Sequence, residues 1–126
     1  MQGKGKKIFI ADDDPDILQI ISMILKTQDY QVVTTTNAKD IFNYSAKDLP
    51  DIILLDIWMS GVDGRDICSQ VKNEALTKNI PVLFVSANSN IEEIAKICKA
   101  DGYIAKPFEM DYLLERINSI FSYQEL

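Results

Sequence analysis

The stretch that decides the fold is DIILLD, residues 51–56, in which four consecutive apolar residues lie between two aspartates. Two further runs, Ile8–Ala11 and Val82–Val85, are also continuously apolar. Strands covered by helices on both faces have this composition, because neither face meets water. These runs therefore predict three central strands of a parallel sheet.

Two weaker runs complete the predicted sheet. Gln31–Thr36 is half polar and Tyr103–Ala105 is short, which favours positions at exposed edges. The segments between the five runs have helical periodicity, and such alternation is typical of strand-helix units. The predicted fold class is α/β: a doubly wound, five-stranded parallel sheet of order 2-1-3-4-5, flavodoxin-like, with helices on both faces.

The helices carry start signals and apolar stripes of their own. Asp14-Pro15-Asp16 offers an N-cap carboxylate followed by proline at the first helical position. Ser89-Asn90-Ile91-Glu92 has the capping-box pattern. Less distinct helices are expected near Asn37–Ala46 and Gly64–Glu74. The predicted buried stripes are Ile17, Leu18, Ile21, Ile24 and Leu25 in the first helix, and Met110, Leu113, Leu114, Ile117 and Phe121 in the last.

Composition limits the possible functions. The 126 residues are 47% hydrophobic and 25% charged, which predicts a single domain over 1–126. A net charge of -6 disfavours direct binding to nucleic acid or to anionic membranes. The chain has no histidine, which excludes Ser-His and Cys-His nucleophiles and most zinc sites within it.

The cysteines and the hydropathy indicate a compartment. Cys68 and Cys98 lie inside apolar helical patterns and not in a C-x-x-C frame, which is typical of reduced thiols. No apolar run approaches the roughly 18 residues of a membrane span, and no signal-type stretch follows Met1–Lys7. We expect a soluble cytoplasmic protein.

Polar side chains follow four strands at one edge of the predicted sheet. They are Asp12 and Asp13 after the first strand, Asp56 after the third, Ser86 after the fourth and Lys106 after the fifth. Parallel strands end at the same edge, and ligands bind there where the strand order reverses. We therefore expect these side chains to share one cleft.

Three carboxylates in one cleft would repel one another by several kcal/mol at about 4–6 Å unless a counter-charge intervenes. Oxygen-only ligands favour Mg2+, or Mn2+, over zinc, and Mg2+ held by few carboxylates accepts phosphate oxygens. The cleft is therefore predicted to meet a phosphoryl group. Lys106 and Ser86 can contact phosphoryl oxygens, and Asp56 is a competent nucleophile toward phosphorus.

Four motifs resemble the receiver domain of two-component response regulators, over a core of about residues 7–121. They are IFIADDDP at 8–15, DIILLDIWMSGVDG at 51–64, PVLFVSA at 81–87 and GYIAKPF at 102–108. The resemblance implies the chemotaxis-regulator-like fold of this family and a phospho-accepting function.

The resemblance also implies a role for each site residue. Asp56 would be phosphorylated, with Lys106 and Ser86 completing the catalytic group. The implied metal ligands are Asp12, Asp13, Asp56 and the backbone carbonyl of Trp58. Ser86 and Tyr103 are the implied switch pair, and a cis peptide commonly follows the lysine, here before Pro107.

One position departs from the family pattern. Ser60 stands where the family usually has proline, which we expect to loosen the loop after Asp56 without removing a functional group. Trp58 and Met59 follow directly after a strand end, and two large apolar residues there predict an exposed feature.

Two other protein classes share parts of this pattern. A flavodoxin-like cofactor binder needs a hydroxyl- and glycine-rich loop after its first strand, whereas Asp12-Asp13-Asp14-Pro15 would repel a flavin phosphate. A haloacid-dehalogenase-type phosphatase uses a second aspartate two residues after its nucleophile, and Trp58 occupies that position. We therefore expect a switch and not a turnover enzyme.

The resemblance implies particular partners. Because the chain has no histidine, a separate histidine kinase or phosphotransfer protein would donate the phosphoryl group. Output would pass to a protein partner, or to a homodimer, through the face made by the fourth helix, fifth strand and fifth helix, at Asn88–Lys99 and Lys106–Arg116. The alternative is a receiver that forms part of a larger regulator or hybrid kinase.

Overall fold

The computed structural model describes residues 5–124 and contains a five-stranded parallel sheet and a two-stranded hairpin. The strands are β1 Lys7–Ala11, β2 Gln31–Thr35, β3 Ile52–Leu55, β4 Trp58–Met59, β5 Val62–Asp63, β6 Val82–Ser86 and β7 Gly102–Ala105. The helices are α1 Pro15–Lys26, α2 Gly64–Asn73, α3 Ile91–Ile97 and α4 Met110–Gln124, and two 3-10 helices cover Ala38–Asn43 and Ala46–Asp48.

The main sheet has the order β2-β1-β3-β6-β7, and every neighbouring pair is parallel. Because the hairpin strands β4 and β5 stand outside this sheet, its order is the predicted 2-1-3-4-5. The predicted α/β fold class is confirmed. The hairpin itself was not predicted, since each of its strands has only two residues.

The three apolar runs form the centre of the sheet. Every residue of β3 is 0% exposed, whereas the edge strands β2 and β7 contain exposed residues. Full burial of a side chain such as Ile or Leu contributes about 1.5–3 kcal/mol. The central strands are therefore a major source of stability.

Side chains along each central strand alternate between two cores. In β1, Phe9 faces one core, while Ile8 and Ile10 face the other. The first core is covered by α2, α3 and the first 3-10 helix, and the second by α1 and α4. This two-sided cover explains why the strands have no polar face.

The helix cap predicted for α1 is confirmed, and the one predicted for α3 is wrong. The Asp14 carboxylate accepts from the Asp16 N–H at 2.9 Å, with Pro15 at the start of the helix, as predicted. At α3 the N-cap Asn90 makes no side-chain cap bond, so the capping box predicted there is wrong. Instead the Asn88 side chain accepts from the Asn90 N–H at 2.8 Å. A local Asx turn thus leads the chain into this helix.

The predicted helical stripes are mostly buried. Leu18, Ile21, Leu25, Leu113, Ile117 and Phe121 are buried, and Ile17, Ile24 and Leu114 are half-buried. Met110 is 52% exposed, because it begins α4 one turn ahead of the first buried residue. The segment near Asn37–Ala46 forms 3-10 helices, and its two buried residues, Ala38 and Ile41, have the three-residue spacing that this helix type aligns.

Both cysteines are free thiols, Cys68 buried and Cys98 half-buried. Burial raises the pKa of Cys68 to about 12, so this thiol stays protonated and packs as a small apolar group. Over residues 5–124, no helix combines the length and the apolar character that a membrane crossing would need.

Candidate functional site

The predicted carboxylates meet where β1 and β3 end. Ala11 and Leu55 are register partners at the ends of these strands, and the Asp56 N–H donates to the Ala11 carbonyl at 3.1 Å. The residues that follow are consequently neighbours. Oxygen atoms of Asp12, Asp13 and Asp56 lie within 4.8 Å of one another.

Lys106 reaches this cluster from the far edge of the sheet. Its backbone N–H donates to the Ser86 carbonyl at 2.9 Å, which extends the β6–β7 pairing by one residue. Its ammonium lies 2.6 Å from the Asp12 carboxylate and 3.4 Å from that of Asp56. The peptide bond to Pro107 is cis. The lysine thus contacts two of the three carboxylates.

Burial and charge act together on this ion pair. Burial raises the pKa of the Asp12 carboxyl above its usual value, although the hydrogen bonds from Lys106 and from the Asp14 N–H oppose the shift. Burial opposes the charge of Lys106, yet the hydrogen bond to Asp12 and the nearby Asp56 charge raise the pKa of the ammonium. Lys106 is therefore a fixed positive charge at neutral pH.

The donor set fits a hard divalent cation. Three carboxylates against one ammonium leave an excess of negative charge among the residues described at this edge. The candidate ligands supply only oxygen atoms, which suits Mg2+ or Mn2+. Asp12 is 2% exposed whereas Asp13 is exposed, so the cluster opens to solvent on one side.

The Asp56 carboxylate is oriented by the backbone N–H of the next residue, Ile57. One oxygen accepts from the Ile57 N–H at 2.7 Å, and the other faces Lys106. The chain returns past it at Gly64, whose N–H donates to the Ile57 carbonyl at 2.6 Å. A Cβ atom at Gly64 would overlap the Asp56 carbonyl oxygen, so only glycine permits this close approach.

Ser86 lies at the same sheet edge but points toward a different group. It is 3% exposed, and its hydroxyl accepts from the Asn88 N–H at 3.2 Å. Within the described residues, no hydrogen bond joins this hydroxyl to the three carboxylates. Of the five side chains predicted to share one cleft, four therefore lie together: Asp12, Asp13, Asp56 and Lys106. The fifth, Ser86, lies at the same edge of the sheet without a hydrogen bond to the carboxylates.

Tyr103 is half-buried on β7 and packs against the core beneath α3. Burial raises the pKa of its phenol, and the nearby Glu92 carboxylate adds to the shift. Because Phe84 and Tyr103 are register partners, while Ser86 pairs with Ala105, the two implied switch residues stand on neighbouring strands.

The residues after Asp56 form the hairpin β4–β5, and only one of its large apolar side chains is exposed. Trp58 is 57% exposed, as predicted, and the Arg65 guanidinium lies 4.8 Å from the centre of its ring. Met59 is 4% exposed and packs in the core, so the prediction of exposure is wrong for it. Alternation along a short strand sends the two side chains to opposite faces.

Ser60 lies in the turn of the hairpin and contacts Asp13. Its N–H and its hydroxyl each donate to the same oxygen of Asp13, both at 3.2 Å. Sequence reasoning missed this contact and the Asn88 contact to Ser86. The available signals were a hydroxyl in the phospho-acceptor motif and an asparagine two residues after the serine.

Comparison with known proteins supplies a family and a fold. The model of the response regulator receiver domain family matches residues 8–118. The nisin biosynthesis regulatory protein NisR of Lactococcus lactis subsp. lactis is 36% identical over 124 residues, which is 94% of this chain and 52% of the relative. The chain thus spans about half the length of the curated relatives it matches.

Solved structures agree with this assignment. A CheY-like response regulator receiver domain protein from Methanospirillum hungatei JF-1 superposes with a TM-score of 0.84 at 25% identity, covering 95% of this chain and 96% of that one. The response regulator TrrA of Thermotoga maritima, solved in complex with Mg2+-BeF, gives 0.80 at 24% identity, with 90% and 97% covered. At that identity the second likeness shows the fold alone.

Proposed function

Because the chain belongs to the response regulator receiver family, a phosphoryl-accepting family of two-component signalling, we propose that Asp56 is the residue that becomes phosphorylated. The observation that carries the proposal is the Asp56 carboxylate, 13% exposed, beside Asp12, Asp13 and the Lys106 ammonium. This arrangement places a nucleophile beside a positively charged side chain, Lys106, and beside two carboxylates, Asp12 and Asp13, that can bind a cation.

The phosphoryl donor is proposed to be a phosphohistidine on a separate kinase or phosphotransfer protein. An Asp56 oxygen attacks phosphorus, a P–O bond forms, and the P–N bond breaks. The imidazole nitrogen leaves with the electron pair and becomes protonated from solvent. Within residues 1–126 no histidine can serve as donor.

Mg2+ is the proposed cofactor, and Mn2+ also suits the oxygen-only donors. The proposed ligands are Asp12, Asp13, Asp56 and the backbone carbonyl of Trp58. When bound, the cation neutralises negative charge that builds up on the transferring phosphoryl group. The oxygen-only cluster of Asp12, Asp13 and Asp56 supports this choice, and TrrA, which shares the fold, was solved in complex with Mg2+-BeF.

Lys106 and Ser86 are proposed to hold the phosphoryl oxygens after transfer. Lys106 lies 3.4 Å from the Asp56 carboxylate, so a group attached there comes within reach of its ammonium. Ser86 would exchange its contact with the Asn88 N–H for a hydrogen bond donated to the phosphoryl group. Charge-assisted bonds of this kind are stronger than neutral ones.

Incubation with acetyl phosphate and Mg2+ tests the proposal. We expect the intact mass to increase by one phosphate. We expect no increase when EDTA is present from the start, because without the metal the carboxylate cluster would repel the anionic donor. A chain that stays unmodified at saturating donor and millimolar Mg2+ would contradict the assignment.

The proposed output is a change of protein contacts at the face made by α3, β7 and α4. Movement of Ser86 toward the phosphoryl group frees space for Tyr103 to turn inward, which alters this face. Support comes from its exposed apolar side chains: Met110 and Tyr112 are 52% and 45% exposed. A protein partner or a second copy of the chain would bind there, over Asn88–Lys99 and Lys106–Arg116.

Nuclear magnetic resonance of the protein with and without beryllofluoride and Mg2+ tests this output. We expect chemical-shift changes in α3, at Tyr103 and in α4, beyond those near Asp56, because the side-chain pair couples the site to the face. Changes confined to the loops around Asp56 would contradict the switch and favour a phosphate sink.

Three further features belong to this proposal. We propose that phosphorylation modifies the protein itself and that no outside phosphoester is turned over, since Trp58 occupies the place of a second acidic group. The free thiols support a reducing compartment such as the cytoplasm. The single receiver domain is proposed to act by itself or as part of a larger regulator, as its half-length match to NisR allows.

A further inference from the structure

We propose that Ser60 is a positioning residue that holds the Asp13 carboxylate in the orientation needed to bind the metal. This inference rests on the proposed function, because it requires a cation at the carboxylate cluster. Its basis is the pair of hydrogen bonds that the Ser60 N–H and hydroxyl donate to one oxygen of Asp13.

Each carboxylate of the cluster accepts a hydrogen bond from a backbone N–H, but the donors differ in how far along the chain they lie from the carboxylate. Asp12 accepts from the Asp14 N–H at 3.0 Å, and Asp56 from the Ile57 N–H at 2.7 Å. These donors lie within two residues. Asp13 instead accepts from Ser60, which is 47 residues away. Its orientation therefore depends on the hairpin.

The hairpin leaves the Ser60 N–H available for this contact. Met59 pairs with Val62, so Ser60 and Gly61 form a two-residue turn. Gly61 has φ +71, which suits the second central position of a type II turn. The N–H of the first central residue takes no part in closing such a turn, and here it donates to Asp13.

Asp13 needs this support more than its neighbours do. Asp12 is buried and paired with Lys106, whereas the Asp13 side chain is exposed. An exposed side chain loses rotamer freedom when it binds a metal. Because both Ser60 donors converge on Oδ2, they restrict the carboxylate while leaving Oδ1 free for a cation.

Three substitutions of Ser60 distinguish the contribution of its N–H from that of its hydroxyl. Ser60→Ala removes the hydroxyl and keeps the N–H, whereas Ser60→Pro removes both and remains compatible with the first central position of the turn. Ser60→Thr keeps both. We expect the dissociation constant for Mg2+ to rise about threefold in the alanine variant and about tenfold in the proline variant, and to be unchanged in the threonine variant.

The experiment is a calorimetric titration with Mg2+ alone, followed by phosphorylation rates with acetyl phosphate over a range of Mg2+ concentrations. The half-saturating Mg2+ concentration should rise in step with the dissociation constant, while the rate at saturating Mg2+ stays within about twofold. Ser45→Ala is the matched control, because its hydroxyl donates to Asp48 at 2.9 Å, outside the carboxylate cluster. Circular dichroism verifies that each variant is folded.

The outcomes separate this inference from the proposed function. Wild-type Mg2+ affinity in Ser60→Pro would overturn the role of Ser60 while leaving the metal site intact. A lower rate at saturating Mg2+ with an unchanged half-saturation point would also overturn it. Absence of Mg2+ binding by the wild-type protein would instead refute the metal site, and the inference with it.

Discussion

Asp56→Asn is expected to abolish phosphorylation completely while leaving the fold intact. The amide conserves the shape of the side chain, and its oxygen can keep the hydrogen bond from the Ile57 N–H. It removes the nucleophilic carboxylate and one charge from a cluster with excess negative charge. We therefore expect the free energy of unfolding to change by no more than about 1 kcal/mol.

The measurement is the intact mass after incubation with acetyl phosphate and Mg2+. Asp51→Asn provides a matched control at the opposite end of β3, where the carboxylate accepts from the Lys7 N–H at 2.7 Å. This variant should acquire one phosphate as the wild type does. The wild-type modification should be stable in acid and labile in base, as an acyl phosphate is. Phosphorylation of Asp56→Asn at the wild-type rate would show that another residue is the nucleophile.

Gly64→Ala is expected to cause the largest loss of stability, about 3 kcal/mol or more. The added Cβ would overlap the Asp56 carbonyl oxygen and lie 3.0 Å from both the Asp56 carbonyl carbon and the Ile57 Cα. These are backbone atoms at the end of a central strand, so they cannot move aside as a flexible side chain can. The same displacement would shift Asp56 and lower the rate of phosphorylation.

Equilibrium unfolding in urea measures this effect. Gly61→Ala is the control, because a Cβ there meets nothing within 4 Å and only the positive φ of 71 opposes it. We expect that variant to lose about 1 kcal/mol. A Gly64→Ala protein as stable as Gly61→Ala would refute the steric argument, whereas failure to fold would agree with it.

Local patterns predicted the features whose physical cause is also local. Continuous apolar runs identified the central strands, because both faces of β1, β3 and β6 are buried. Asp14 was identified as a helix cap because its partner, the Asp16 N–H, lies two residues away. The capping box at Ser89–Glu92 was wrong because the helix begins one residue later than the pattern requires: its N-cap is Asn90, not Ser89.

Two-residue strands and the ends of helices were harder to predict. The hairpin of Trp58–Met59 and Val62–Asp63 has too few residues to show an alternating pattern, so Met59 was expected to be exposed. Met110 has the spacing of the α4 stripe but precedes the part of the helix that packs on the sheet. Periodicity indicates which residues share a face, but it does not show where along a helix the contact with the sheet begins.

The sequence by itself determined which groups stand at the functional edge, because parallel strands must all end on the same side of the sheet. Asp12, Asp56 and Lys106 could be placed there from the apolar runs that precede them. Only the tertiary structure decided how these groups pair. Lys106 lies closer to Asp12, 94 residues away, than to Asp56, and Ser60 contacts Asp13 across 47 residues. Contacts of this kind depend on strand register and hairpin position to within an ångström, and no local pattern specifies distances between segments so far apart in the chain.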